Sequence, residues 1–300
     1  MRVGIIGVGS VGTSVAMCVL QAGPAQDLLL HDRDAARAEG EAMDMAHGSP
    51  YVPRASVRGA TLDQVLQCDV LVFAAGRNSR PGETRLQLLA DNARVAGEIG
   101  RKLAGSTAMV VVVSNPVDVL TRVLLEASGL PAGRVLGTGT MLDTARLRQS
   151  LGQHLDMNPR SVHAQVLGEH GDSEFVQWSR AQVGGQWLRE RPGWCAADEE
   201  RIAKDVRNAA YEVIQRKGFT NHAIGLVTAD LVRAILRDER RVLTVSSRQP
   251  GGVCLSMPAV VGRRGVENLL QPQFDATETA ALARSAAVLQ QAWDSLATPG

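Results

Sequence analysis

Arg2-Val3-Gly4-Ile5-Ile6-Gly7-Val8-Gly9-Ser10-Val11-Gly12, continued by the helical run Ser14 to Gln21, decides the fold of this 300-residue chain. An apolar strand-like run ends directly on glycines spaced Gly-x-Gly-x-x-Gly and passes at once into a helix. Each glycine there meets a different need, since Gly7 permits the tight turn, Gly9 lets the backbone approach a pyrophosphate, and Gly12 lets the helix pack on the sheet. The helix N-terminus turns its unsatisfied N–H groups and partial positive charge toward the phosphates. Asp32 stands 20 residues after Gly12, closing the next apolar run, where a carboxylate hydrogen-bonds both ribose hydroxyls of an adenosine. The alternative, glycines that only shape a turn and an Asp32 that only caps a helix, accounts for less of this context. A dinucleotide is therefore the expected ligand. Asp32 repels a 2′-phosphate and favours NAD over NADP, with adjacent Arg33 partly offsetting that repulsion.

Outward from this turn, short apolar runs at Leu28 to His31, Val70 to Ala74, Met109 to Val113 and Val135 to Leu136 alternate with helix-like stretches. In Thr84 to Leu103, for example, Leu86, Leu89, Ala93, Ala96 and Leu103 fall near helical spacing on one face. The alternation predicts an α/β fold on a Rossmann-type, doubly wound parallel sheet, which takes ligands at the carboxyl ends of its strands. After about Thr140 the pattern changes to longer helices, Asp198 to Lys217 and Thr220 to Arg237, then strand-like runs at Val242 to Ser246 and Val253 to Met257. Asn158-Pro159 ends a helix that starts near Met141, and Ser161 to Leu167 reads as one strand because Val162, Ala164 and Val166 alternate with polar neighbours. The expected organisation is a dinucleotide-binding domain over residues 1–140 and an α+β substrate and catalytic domain over residues 141–300.

Composition narrows the partners. Lys plus Arg number 32 against 31 for Asp plus Glu, so no net basic field holds nucleic acid or an anionic membrane. A small molecule is the default partner. The basic pairs Arg240-Arg241 and Arg263-Arg264 read as solvated charges at loops or helix ends. Cys18, Cys68, Cys195 and Cys254 are scattered without a Cys-x-x-Cys pair, which points to reduced thiols in the cytoplasm and to neither a disulfide framework nor a metal site. No apolar stretch approaches the roughly 18 residues of a membrane span, and no cleavage-site pattern follows the apolar start, so Met1 is expected to begin the folded domain.

Gly168-Glu169-His170-Gly171-Asp172 places a histidine between glycines just beyond a predicted strand. Proton exchange with an alcohol near pH 7 needs a group that titrates there, preferably oriented by a carboxylate that also stabilises the imidazolium. Asp143 and Arg146, three apart on a helix, point at one site. In the loop from Arg77 to Arg85, Pro81 and Gly82 precede a cation, Arg85, at the junction of a lid and the next helix. Asn115, before Pro116, follows a predicted strand at its ligand-binding end. Taken singly, each has a plain structural reading: a loop histidine, a surface ion pair, a solvated arginine, a turn asparagine.

Together these segments resemble the L-lactate/malate dehydrogenase family, most closely its bacterial L-lactate dehydrogenases. The resemblance rests on Gly7 to Gly12, Asp44-Met45-Ala46-His47-Gly48, Ala75-Gly76, Pro81 to Leu86, Ser114-Asn115-Pro116-Val117-Asp118, Gly139 to Arg146, and Gly168 to Asp172. It implies that His170 is the acid/base, Asp143 its orienting partner, and Arg85 a lid residue that polarises the C2 oxygen. Arg146 then clamps the substrate carboxylate through two parallel hydrogen bonds. Asn115 contacts cofactor and substrate, Thr220 flanks the pocket, and Gly7, Val8, Gly9, Val11, Gly12, Asp32 and Gly76 hold NAD. The resemblance further implies a cytoplasmic, glycolytic homodimer or homotetramer. Arg148 and His163 match positions that bind fructose 1,6-bisphosphate in allosteric bacterial members, although ordinary interface residues fit them as well.

Two departures bear on the substrate. Ser79 stands where lactate enzymes carry Gln and malate enzymes Arg; a second substrate carboxylate needs a cation there, which disfavours malate unless Arg80 substitutes. Phe219-Thr220-Asn221-His222 replaces the family's Ala-Thr-Tyr-Tyr. Lactate is the leading substrate, with a bulkier 2-hydroxy acid as the competitor. The rival class, a catalytically silent NAD-binding protein, has no chemical reason to keep Arg85, Asn115, Asp143, Arg146 and His170 together.

Overall fold

A computed structural model describes residues 1–77 and 85–297. The first half reads β1 (Arg2–Ile6), α1 (Ser10–Ala22), β2 (Asp27–His31), α2 (Ala35–His47), β3 (Ser56–Gly59), α3 (Leu62–Val65), β4 (Val70–Phe73), α4 (Arg85–Lys102), β5 (Met109–Val112), α5 (Val117–Ser128) and β6 (Val135–Gly137). These strands pair in parallel in the order β3-β2-β1-β4-β5-β6. The chain reverses direction across the sheet between β1 and β4, and this is where such sheets open a crevice for a ligand. β4 and β5 are buried throughout because helices cover both faces, which explains their unbroken apolar runs. The sequence reading omitted β3: Ser56, Val57, Arg58 and Gly59 form an edge strand whose residues are half-buried or exposed and lack that signal.

The second half contains α6 (Met141–His154), β7 (Val162–His163), β8 (Val166–Leu167), β9 (Phe175–Val176), β10 (Gln182–Val183), β11 (Gln186–Trp187), α7 (Ala196–Lys217), α8 (His222–Leu236), β12 (Arg241–Arg248), β13 (Cys254–Gly262), β14 (Gly265–Leu269) and α9 (Ala276–Ala297). The expected strand from Ser161 to Leu167 is two. β7 pairs with β10, whereas β8 pairs with β9, yet Val162, Ala164 and Val166 are all buried as their alternation predicted. The later strands continue the first sheet: β12 pairs antiparallel with β6 through Ser246 and Gly137, and β13 and β14 extend it to nine strands among the described residues. Pairing with β12 covers the edge that β6 would otherwise leave open. Arg240 and Arg264 are exposed, as expected, and with half-buried Arg241 they also pair with acids, bridging to Glu267 (3.2 Å), Glu267 (3.1 Å) and, for Arg241, Asp230 (2.9 Å). Among the described residues no helix is long and apolar enough to cross a membrane.

Two close approaches lock the nucleotide end of the sheet. A Cβ on Gly12 would stand 1.9 Å from the Gly7 carbonyl oxygen, so α1 lies against the turn only because that side chain is absent. At Gly225 of α8, a Cβ would meet the Ser14 carbonyl oxygen of α1 at 2.9 Å, which seats a helix of the second half on the helix after the glycine turn. We expect Gly12→Ala to cost at least about 1–3 kcal/mol through overpacking and to weaken NADH binding with it. Thermal unfolding with and without NADH measures both.

Candidate active site

The glycine turn is held by main-chain bonds before any ligand is considered. The Gly7 N–H donates to the His31 carbonyl (2.8 Å), and the Val8 N–H donates to Asp32 Oδ2 (2.9 Å). Asp32 Oδ1 accepts the Asp34 N–H (3.1 Å). Asp32 thus ties the turn to the end of β2, and each carboxylate oxygen keeps a lone pair for a ribose hydroxyl. Gly7 lies at φ +95°, and a Cβ there would meet the Ala75 backbone at 2.6 Å, whereas a Cβ on Gly9 would enter open space. That open space faces the first turn of α1, whose N-cap makes no side-chain bond and leaves amide donors for an anion. The cleft measures ≈ 530 Å³ and is lined by Gly7, Gly9, Asp32, Arg33, Arg37 and Gly76 among others, which fits an adenine dinucleotide. Val8 is buried and Val11 half-buried, so they shape the turn from beneath.

The first turn of α6 projects Asp143, which is 2% exposed, toward two cations. Its Oδ1 accepts from Arg146 Nη1 (2.7 Å) and its Oδ2 lies 2.6 Å from His170 Nδ1. The pair is therefore a buried junction and not the surface ion pair its spacing alone allows. Burial pushes the Asp143 carboxyl up, but the charges and hydrogen bonds of His170 and Arg146 outweigh it and hold the group below the usual carboxylate range. An ionised Asp143 only accepts, so Nδ1 carries the hydrogen and Nε2 is left to face a substrate. Burial pulls the imidazole down, but Asp143, Asp118 and Glu174 together lift it to about 9. His170 is then an imidazolium at neutral pH, ready to donate a proton.

Several residues that the sequence reading passed over complete the arrangement. Glu174, 7% exposed, has a carboxylate oxygen within 4.8 Å of the ligating atoms of Asp143 and His170. Burial and the Asp143 charge push it up to about 8, so it is mostly uncharged at neutral pH. The loop carrying His170 is pinned from three directions. Gly168 exchanges main-chain bonds with Ser256 of β13 (2.9 and 2.8 Å), the Glu169 N–H donates to Ser285 Oγ of α9 (2.7 Å), and the His170 N–H donates to Asp118 Oδ2 of α5 (2.8 Å). Asn92 of α4 accepts the Arg77 N–H (3.0 Å) and donates to the Asn115 carbonyl (3.0 Å), joining the cleft wall to the start of α5. Asp118 lay inside a motif already singled out, Ser114 to Asp118, whereas Asn92 and Ser256 lay in runs read only as helix and strand.

The remaining expected residues divide. Asn115 uses its side-chain oxygen to accept the Val117 N–H (3.3 Å). Thr220 is half-buried just before α8, and the next residue, Asn221, donates to Ser14 of α1 (3.0 Å); among the described residues no hydrogen bond joins Thr220 to Asp143, Arg146 or His170. Arg148 donates to the Ala164 carbonyl (3.1 Å), which sets it beside His163, exposed on β7. Ser79, Arg80 and the Arg85 side chain lie outside the described residues.

Comparisons with known proteins cover nearly the whole chain. A family model described as lactate/malate dehydrogenase, NAD binding domain, matches residues 1–137, and one described as the alpha/beta C-terminal domain of the same family matches residues 140–298. An L-lactate dehydrogenase of Synechococcus sp. is 46% identical, covering 99% of this chain and 99% of its own. One of Salinibacter ruber is 45% identical, covering 96% and 95%. Among solved structures, a lactate dehydrogenase from a deep-sea metagenome of the Medee basin superposes with TM-score 0.95 at 37% identity over 99% of both chains. The minor L-lactate dehydrogenase of Enterococcus mundtii gives 0.95 at 38% over 98% of both.

Proposed function

The chain belongs to the lactate/malate dehydrogenase family, and from that premise we propose that it is an NAD-dependent L-lactate dehydrogenase interconverting pyruvate and L-lactate. The observation that carries this reading is the single buried carboxylate of Asp143 shared between His170 and Arg146. It sets a proton donor and a carboxylate clamp side by side, as reduction of a 2-oxo acid requires. The glycine turn and Asp32 would hold NADH, which when bound would supply the hydride for C2. The Nε2 proton of His170 goes to the C2 oxygen as negative charge develops there, and Asp143 stabilises the imidazolium until then. Arg146 is anchored through one nitrogen, which leaves the others to bind the substrate carboxylate and present C2. Arg85 adds a positive charge at the C2 oxygen from the lid, and Asn115 and Thr220 complete the pocket. In the reverse direction neutral His170 takes the proton from the hydroxyl of lactate.

The small Ser79 supports a second reading within the same chemistry, a 2-hydroxy acid bulkier than lactate. NADH oxidation with pyruvate, oxaloacetate, 2-oxoisocaproate and phenylpyruvate separates the two. We expect pyruvate to give the highest kcat/KM and oxaloacetate to lag by about 10-fold or more for want of a cation at position 79. Preference for 2-oxoisocaproate or phenylpyruvate would establish the second reading, and no oxidation of any of the four would overturn both. NADPH is expected to serve less well than NADH because Asp32 faces its 2′-phosphate.

Regulation, assembly and location follow the same reading. Arg148 beside His163, with the charge of Arg241 nearby, supports a fructose 1,6-bisphosphate site, tested by a fall in the KM for pyruvate on adding that sugar. Exposed Met17, Met43 and Tyr51, with a cleft walled by Met17, Met45 and Tyr51, support a homodimer or homotetramer. Four free thiols support a cytoplasmic enzyme, and the pyruvate–lactate couple supports a glycolytic one.

A further inference from the structure

His170 is fixed at two points, and only one of them is its ring. The second is its main-chain N–H, which donates to Oδ2 of Asp118 at 2.8 Å across 52 residues of sequence. Asp118 lies in the first turn of α5 and is 2% exposed, and the Ser246 hydroxyl is the other polar group that faces its carboxylate. The turn it belongs to starts at Asn115, whose carbonyl accepts from Asn92, and Asn92 lines the nucleotide cleft. Hydrogen bonds thus tie the cleft wall to one end of this turn, Asn92 to Asn115, and the acid/base to the other, His170 to Asp118.

A buried carboxylate is a costly way to accept one N–H. A neutral asparagine would accept it equally well without desolvating a charge. What the carboxylate adds is its charge, and that charge faces the imidazole. We propose that Asp118 is a positioning residue for hydride and proton transfer: its carboxylate anchors the His170 main chain to the Asn115 turn and presents a second buried negative charge to the imidazolium. The inference rests on the reading of His170 as the acid/base. The other charged groups around the imidazole are Asp143, with Arg146 bound to it, from α6, and Glu174 with Arg207 of α7 behind it; in its own loop Glu169 turns to Ser173 and Asp172 to Tyr211. Asp118 itself is faced by His170, Glu169, Ser246 and the Cys254 thiol. Burial pushes Asp118 up to about 6 against the opposing pull of Ser246 and His170, so the charge is present at neutral pH.

The test compares Asp118→Asn and Asp118→Ala with the wild-type enzyme, using pyruvate and NADH across pH, with NADH affinity read from nucleotide fluorescence. Alanine removes the anchor and should lower kcat by about 10- to 100-fold with little change in the Kd for NADH. Asparagine keeps an acceptor for the N–H, so kcat should recover to within about threefold, while the alkaline limb of pyruvate reduction moves to lower pH because a charge favouring the imidazolium is gone. A residue that only packs would lower stability without moving that limb. Coincident limbs for wild type and Asp118→Asn, or full kcat in Asp118→Ala, would overturn the proposal; should the alanine variant not fold, the limb of the asparagine variant decides. His170→Asn serves as the control. Turnover retained by that control would defeat the acid/base reading itself, whereas an inactive control beside wild-type behaviour in both Asp118 variants would defeat only this inference.

Discussion

Replacing His170 with Asn should lower kcat for pyruvate reduction by about 10³- to 10⁴-fold while the Kd for NADH stays near the wild-type value. Asparagine is the informative choice because its amide still donates to Asp143 Oδ2, now 2.6 Å from Nδ1, and so does not strand a buried carboxylate. What it lacks is a transferable proton at the Nε2 position. The nucleotide cleft is walled by the glycine turn, Asp32, Gly76 and Asn92, and His170 is not part of that wall, so cofactor affinity should survive. Stopped-flow turnover and NADH fluorescence titration make the two measurements. Loss of both together would mean that His170 supports the fold and is not the acid/base.

The second large effect is expected at Asp143. Asp143→Asn removes the charge that most strongly opposes the effect of burial on the imidazole and at the same time unpairs Arg146. With His170 lifted to about 9, pyruvate reduction by the wild type should hold through neutral pH and fall as pH rises through about 9. Lactate oxidation, which needs neutral imidazole, should rise over the same interval. Without the Asp143 charge the imidazolium is held less strongly and the limb moves to lower pH, so the reaction loses part of its proton donor as well as its orientation. We expect kcat for reduction at pH 7 to fall by about 10³-fold or more, and the KM for pyruvate to rise because Arg146 loses its anchor. A pH profile is decisive: an unchanged alkaline limb in Asp143→Asn would rule out Asp143 as the charge that holds the imidazolium. The same shift sets the sign for stability. His170, raised from 6.5 to about 9, contributes stability that is fully present below pH 6.5 and lost as pH rises through about 9. Asp143, held low, contributes stability that disappears on acidification.

Local order carried much of this protein into view before any coordinates. The strand, glycine turn and helix from Arg2 to Ala22 are neighbours in sequence, so their packing is written in spacing: Gly12 must be bare because the Gly7 carbonyl is 1.9 Å from where its Cβ would be. Asp143 and Arg146 share a helix face for the same reason, and five of the six parallel strands announced themselves as apolar runs because both faces of the sheet are covered. Tertiary structure alone decided the rest. Periodicity reports burial but not the partner, so the run from Ser161 to Leu167 showed its buried side correctly and concealed that β7 and β8 belong to different sheets. It likewise gave no sign that β12 closes onto β6. The groups that hold the His170 loop come from 52 and 116 residues away, Asp118 and Ser285, and a lone carboxylate or hydroxyl in a helix carries no mark of what it will meet. Glu174 shows the same limit in its charge: by composition it is an ordinary acid, and only burial beside Asp143 makes it neutral at the pH where its neighbours are charged.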